Sequence, residues 1–302
     1  MTRFYLITGF LGAGKTSFLR GILPSLTGER VALIVNDFGR EGVDAALLEG
    51  QGVAVSEIHN GSIFCACRSE QFREGVEEVL RQQPDLILTE ASGLADPTNL
   101  NGVLERLNDG TLEYGGTVCL VDGARFHKVK DTALVVNKQL QTADGIILNK
   151  IDVASPEQLA ATRQTLEDLC PGIPVLETCY GRVPTQWLRD LHPRRVLGQG
   201  APHIRDITQQ SLTLHLYPGL SRERLEHFLK QIAGATYRMK GFVSLKDGVA
   251  IADCVGDAVK VEPWTGPTEQ LDHLTVLFGN GLPARKTIRA ALQEDLVGEL
   301  ES

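Results

Sequence analysis

The run Phe4-Tyr5-Leu6-Ile7-Thr8 followed by Gly9-Phe10-Leu11-Gly12-Ala13-Gly14-Lys15-Thr16 constrains this chain more than any other stretch. An apolar, strand-forming segment meets a GxxxxGK[ST] loop. A helical pattern, Ser17-Phe18-Leu19-Arg20-Gly21-Ile22-Leu23, follows until Pro24 stops it. Strand, glycine loop and helix in that order is the context in which this motif has a mechanism. The glycines let backbone N–H groups approach phosphate oxygens with no Cβ in the way, and the helix N-terminus adds partial positive charge. Gly12, Ala13, Gly14, Lys15, Thr16 and Ser17 are therefore the candidate phosphate-binding residues. Lys15 is the counter-charge for the outer phosphates, and the Thr16 hydroxyl is the candidate Mg²⁺ ligand. The competing reading, a glycine-rich turn with a chance Lys-Thr pair, arises in on the order of one chain in a hundred of this length. The flanking strand and helix count against it.

The alternation continues downstream. Val31–Val35 reads as a buried strand ending at Asn36-Asp37, and Val53–Ile58 as a strand ending at His59-Asn60-Gly61. Asp85–Thr89 ends at Glu90, Thr117–Val121 at Asp122, and Gly145–Leu148 at Asn149. Ser155-Pro156-Glu157-Gln158 carries an N-cap, a proline at the first helical position and a capping-box glutamine. Leu159, Leu166 and Leu169 are expected on one face of that helix. Apolar strands alternating with helices imply an α/β fold: a P-loop domain with a mainly parallel sheet covered on both sides. Ligands of such sheets sit at the carboxyl ends of the strands. Gly9, Asp37, Asn60, Glu90, Asp122 and Asn149 all fall there.

Two of these ends carry chemistry. In Glu90-Ala91-Ser92-Gly93 an acid able to hold Mg²⁺ through water precedes a glycine whose amide can report the terminal phosphate; an ordinary strand exit is the competing reading. In Asn149-Lys150-Ile151-Asp152 the Asp152 carboxylate accepts from the N1 and N2 donors of guanine, and the Lys150 stem covers the ring. Adenine offers no such donor pair, so the expected ligand is GTP or GDP with Mg²⁺. Thr178 and Cys179 are candidates to flank the base.

Composition bounds the partners. The 302 residues hold 30 basic against 38 acidic side chains, a net charge of -8. With no long basic run, neither nucleic acid nor an anionic membrane is an expected partner. Six dispersed cysteines without a secretory signal argue against a disulfide framework and for the cytoplasm.

The segments ITGFLGAGKT, VNDFG with Asp44 following, EASGLADP, LNKID and RMKGFV resemble the CobW-type GTPases, relatives of the accessory GTPases of nickel-enzyme maturation. The resemblance spans essentially the whole chain. It implies a P-loop GTPase domain, a smaller α+β C-terminal domain, slow Mg²⁺-dependent GTP hydrolysis, and delivery of a metal or metal-containing cofactor to a client. The chain departs from the family at its usual CxCC motif. There it reads Ser62-Ile63-Phe64-Cys65, with Cys67 extra, and Arg40 stands where Glu is frequent. Its seven histidines are isolated.

Residues 1–185 are thus expected to form the GTPase domain, 186–207 a Pro- and Arg-rich linker, and 208–302 the α+β domain. The last should hold strands near 211–216, 236–245, 248–254, 258–264 and 274–278. Helices are expected after the Ser221 N-cap and at 284–293. His215 and His227 are expected to be packing or surface residues.

Lys15, Thr16, Asp37, Glu90 and Gly93 are the expected catalytic set, with Arg40 as a candidate cis arginine. Cys65 and Cys67 point the same way in an extended segment and form a candidate site for Zn²⁺ or another thiophilic metal. Asp37, Glu41, His59, a second subunit or the client would complete it; incidental packing is the competing reading. Three functions stay open at this point. They are a GTP-driven metallochaperone acting on a metalloprotein client, a GTPase servicing corrinoid or methyltransferase proteins, and a small-molecule phosphotransferase. A homodimer is among the assemblies left open.

Overall fold

The computed structural model describes residues 1–26, 28–35, 54–57, 69–100, 104, 110–131, 133–194, 209–268, 270–279 and 283–300. The chain divides into two compact units, Met1–Arg205 and Asp206–Ser302.

In the first unit the described elements are β1 (Thr2–Gly9), α1 (Lys15–Ile22), β2 (Val31–Val35), β3 (Ala54–Glu57), α2 (Ser69–Leu80), β4 (Leu86–Glu90) and β5 (Leu112–Asp122). They continue as α3 (Phe126–Val129), α4 (Leu134–Gln141), β6 (Gly145–Asn149), α5 (Pro156–Leu169), β7 (Val175–Glu177) and α6 (Thr185–Arg189). The seven strands form one parallel sheet in the order β3-β2-β4-β1-β5-β6-β7.

Strands β2, β4 and β6 are buried at every position, because helices cover both faces. On one face Tyr5, Ile7 and Leu33 pack with Phe18, Leu19 and Ile22 of α1. On the other, Phe4, Leu6 and Ile34 pack with Phe72, Val76 and Val79 of α2. Each such side chain contributes about 1.5–3 kcal/mol on burial. The register aligns Ile7 with Glu90 and Asp122 with Asn149, so the chemical residues share one edge of the sheet.

Two expectations need correction. The helix stripe Leu159, Leu166, Leu169 holds at Leu166, which is 2% exposed, but Leu169 is 48% exposed. Cys170, four residues after Leu166, takes the inward place and points its thiol at Leu140 O. The domain also runs past residue 185. The α6 turn begins after Pro184, Leu188 and Leu191 join the α1-side core, and Arg194 N donates to Asp144 Oδ1 at 2.6 Å. The Pro- and Arg-rich composition hid one apolar turn.

The second unit contains β8 (Gln209–Leu216), α7 (Arg222–Ala233), β9 (Arg238–Leu245), β10 (Gly248–Val255), β11 (Val261–Pro263), β12 (His273–Gly279), α8 (Ala284–Asp295) and β13 (Gly298–Leu300). Its antiparallel sheet runs β11-β10-β9-β12-β8-β13. Ser221 Oγ caps α7 by accepting from Arg224 N at 3.3 Å, and the stripe Leu225, Phe228, Leu229, Ile232 is fully buried. No described helix is long and apolar enough to cross a membrane.

Candidate nucleotide site

The glycine loop joins the tip of β1 to α1. Gly14 is the N-cap of α1, with φ 103°, and a Cβ there would lie 2.2 Å from Asn149 Nδ2. Only glycine allows both that backbone and that contact. Asn149 is 1% exposed; its Nδ2 donates to Ala13 O at 2.9 Å and its Oδ1 accepts from Gly181 N at 3.0 Å. One side chain therefore ties the glycine loop to the turn that follows β7.

Lys15 is buried, with Nζ donating to Gly9 O at 2.9 Å and Phe10 O at 3.3 Å. The Thr16 hydroxyl donates to Glu90 Oε1 at 3.1 Å and approaches Oε2 at 3.4 Å. A hydroxyl and a carboxylate side by side are the hard oxygen donors that Mg²⁺ prefers, so this pair fits the ion. Gly93 lies against the glycine loop, where a Cβ would come within 2.8 Å of Leu11 N.

At the other end of the edge, Lys150 has a left-handed backbone (φ 61°) and its Nζ meets Asp122 Oδ2 at 2.8 Å. Asp122 Oδ1 accepts from Ala124 N at 3.0 Å. Thr178 N donates to Leu148 O at 2.9 Å, and Thr178 Oγ1 to Arg182 O at 2.6 Å, which fixes the 178–182 turn. Desolvation first, then a hydrogen bond with Asp152 and that carboxylate's charge, raises the Cys179 thiol above its ordinary range. Asp152 and Cys179 are thus neighbours.

Gly12 to Ser17, Glu90, Gly93, Asn149, Lys150, Asp152, Thr178 and Cys179 all belong to the loops, the strand ends and the first turn of α1 at this edge. Asp37, Arg40, Glu41, His59, Cys65 and Cys67 lie outside the described residues. Among the described residues no group of three or more His, Cys, Asp or Glu is placed to hold a metal ion. Cys119, Cys170 and Cys254 are buried free thiols, and burial pushes Cys254 up to about 11.

Sequence reasoning missed Gly181, Gln139 and the pairing of Asp122 with Lys150. Gly181 follows Cys179 by two residues, a turn signal that was readable. Gln139 carried no signal, because its partners are carbonyls far away in sequence. The β5-to-β6 pairing of Asp122 is likewise a product of sheet order.

A parallel sheet with a glycine loop at the tip of β1, an acid at the tip of β4 and an Asn-Lys-Ile-Asp turn after β6 defines a P-loop nucleotide-binding protein. The model of the CobW/HypB/UreG nucleotide-binding domain matches residues 3–177, and that of the cobalamin synthesis protein cobW C-terminal domain matches residues 209–296. The zinc chaperone YeiR of Escherichia coli is 32% identical over 278 residues, which is 90% of this chain and 82% of YeiR. Zinc-regulated GTPase metalloprotein activator 1 of Schizosaccharomyces pombe is 34% identical over 192 residues, covering 59% of this chain and 46% of that protein, so the match spans under half of its length. The zinc-bound YjiA GTPase of E. coli is similar with a TM-score of 0.48 and 20% identity, covering 97% of this chain and 98% of that one. The chain belongs to the CobW/HypB/UreG family of P-loop GTPases and carries the CobW C-terminal domain.

Proposed function

We propose that this protein binds and slowly hydrolyses Mg²⁺-GTP in the cytoplasm and uses the cycle to deliver a thiophilic metal, zinc first, to a client metalloprotein. The observation that carries the nucleotide half is Asn149 bridging Ala13 and Gly181, which joins the phosphate loop to the base-reading turn. The metal half is supported by the 32% identity with YeiR over 90% of the chain.

In this reading Lys15 and the amides of Gly12 to Ser17 hold the phosphates. Thr16 ligates Mg²⁺ and Glu90, with Asp37, orients water around it. Gly93 donates to the terminal phosphate. Asp152 accepts from the guanine edge while Lys150, anchored on Asp122, lies over the ring, flanked by Thr178 and Cys179. Phosphoryl transfer needs positioning and charge neutralisation more than a protein nucleophile, which matches a proposed set of one lysine, one hydroxyl and two acids. Cys65 and Cys67 are the thiolates this reading assigns to the metal; two thiolates alone fall short of the four ligands of a structural zinc site, which suits a metal that is to be passed on.

Calorimetry with GTP, GDP and ATP tests the nucleotide half. Leaving the Asp152 carboxylate unpaired costs about 1–3 kcal/mol, so ATP should bind at least tenfold more weakly, and Asp152→Asn should favour xanthine nucleotides. Equal affinities for ATP and GTP reject it. Zinc titration of wild type and of Cys65→Ser/Cys67→Ser, with GDP and with a non-hydrolysable GTP analogue, tests the metal half. Four matching titrations remove the thiolate pair from the mechanism.

A further inference from the structure

Helix α4 makes a set of bonds that the phosphate chemistry does not use. Gln139 is 1% exposed, and its Nε2 donates to Gly93 O at 3.1 Å and to Ala95 O at 3.2 Å. The adjacent Lys138 Nζ meets Asp96 Oδ2 at 2.6 Å. Asp96 Oδ1 in turn accepts from Thr98 N at 3.1 Å and Thr98 Oγ1 at 2.7 Å, capping the short turn Pro97–Asn99. One turn of α4 therefore grips the whole loop from Gly93 to Asp96.

The other side of that loop rests on the phosphate loop, since a Cβ on Gly93 would meet Leu11 N at 2.8 Å and Leu11 Cα at 2.9 Å. Gln139 also lines a narrow cavity with Leu11, Ala13, Cys119, Val136 and Leu140. That cavity is about the size of one water molecule. A buried carboxamide costs free energy unless its polar atoms are satisfied. An apolar residue would fill this place among Val136 and Leu140 without that demand. The amide group of Gln139 instead addresses two carbonyls of the loop that carries Gly93.

We propose that Gln139 is a positioning residue that couples the Gly93 loop, and with it the terminal phosphate, to helix α4. The coupling rests on the nucleotide reading above. A terminal phosphate that draws in the Gly93 N–H shifts the Ser92–Gly93 peptide, and the chain that follows carries the displacement to the Gly93 and Ala95 carbonyls that Gln139 holds. Gln139 must follow or release them. Lys138 and Asp96 carry the same displacement through a second connection. A ligand shifts such an equilibrium only by its difference in affinity for the two arrangements. By reciprocity, a partner that binds the outer face of α4, where Leu134 is 52% exposed, and prefers one of the two arrangements changes the affinity for triphosphate over diphosphate by the same factor by which the terminal phosphate changes its own.

The test uses the full chain as wild type, Gln139→Leu and Lys138→Met. It measures affinity for GDP and for GMPPNP, together with hydrogen exchange of residues 93–99 and 134–141 in each state. Gln139→Leu should keep GDP affinity within about twofold, while the GMPPNP-to-GDP preference changes about tenfold, the scale of one or two lost hydrogen bonds. Exchange in 134–141 should no longer respond to the terminal phosphate. Lys138→Met, which keeps the Gln139 bonds, should show a smaller change of the same kind. A folded Gln139→Leu protein with wild-type preference and wild-type exchange differences overturns the coupling. If that variant does not fold, Lys138→Met decides, and an unchanged exchange difference there overturns it. A wild type that binds neither nucleotide removes the nucleotide reading and the coupling together.

Discussion

The two units bury polar side chains for different purposes. In the first, Lys15, Glu90, Ser92, Asp122, Asn149 and Thr178 are buried at or just beyond the carboxyl edge of the parallel sheet. In the second, the buried polar residues among those described are Thr236 and Asp272. Asp272 serves the backbone, since its carboxylate accepts from Ser244 N at 2.7 Å and from Ser244 Oγ at 2.9 Å. The first unit has such residues too, for Asp144 accepts from Thr117 N at 2.8 Å well away from the tips. What differs is the cluster at one edge. Buried polar groups cost free energy unless paired, so a concentration of them beyond the needs of the backbone marks a site. A sheet covered on both faces leaves only its strand ends for that purpose.

Most of this contrast was readable in the sequence. Apolar runs such as Val31–Val35 and Gly145–Leu148 have no solvent face to encode, so their limits coincide closely with β2 and β6. Alternation located β8, and Ser221 and Ser155 announced their helices. The short strands β7 and β13 were not readable, because three residues on a sheet edge carry no period. Within the site, residues that act through a local motif were found. Gln139 and the Asp122–Lys150 pair depend on which strands and helices become neighbours, and composition does not encode that.

The sharpest way to separate the two units is to damage each core in turn. Phe18 and Phe228 are both fully buried. Truncation of either to alanine should cost about 3–5 kcal/mol, read by denaturant unfolding. Phe18 sits on the helix that begins at Lys15, so Phe18→Ala should also weaken GDP binding. Phe228→Ala should leave GDP affinity per folded molecule unchanged. A Phe228→Ala protein that is folded but has lost nucleotide affinity would break the contrast.

A smaller effect tests the polar residues themselves. Asn149→Ala leaves Ala13 O and Gly181 N without their partner, and Asp272→Ala does the same to Ser244. Each should destabilise by about 1–3 kcal/mol. The two losses of stability should be similar, but GDP affinity should fall at least tenfold for Asn149→Ala alone. Similar stability with similar affinity in both variants would mean that burial of polar groups does not distinguish the units.

The smallest effect lies at the opposite edge of the parallel sheet, where charge serves only the fold. Asp85, just before β4, accepts from Arg30 N at 2.9 Å, Arg30 Nη2 at 2.9 Å and Arg30 Nε at 3.3 Å. Those hydrogen bonds hold its carboxyl down at about 2, below the ordinary 3.8. A depressed carboxyl stabilises the folded chain fully above its ordinary value, and that contribution is lost as pH falls through the folded value. Stability should therefore decline between about pH 4 and pH 2 partly through Asp85. Asp85→Asn should show a shallower decline over that window in urea unfolding. Both side chains are well exposed, Arg30 at 63% and Asp85 at 44%, so the difference at neutral pH should be slight and should shrink further in about 1 M salt. GDP affinity at pH 7 should stay at the wild-type value, because neither residue reaches the carboxyl edge. An Asp85→Asn protein whose stability falls as steeply as wild type below pH 4 would show that the pair is idle. A loss of GDP affinity in the same protein would show that the two edges of the sheet are not independent.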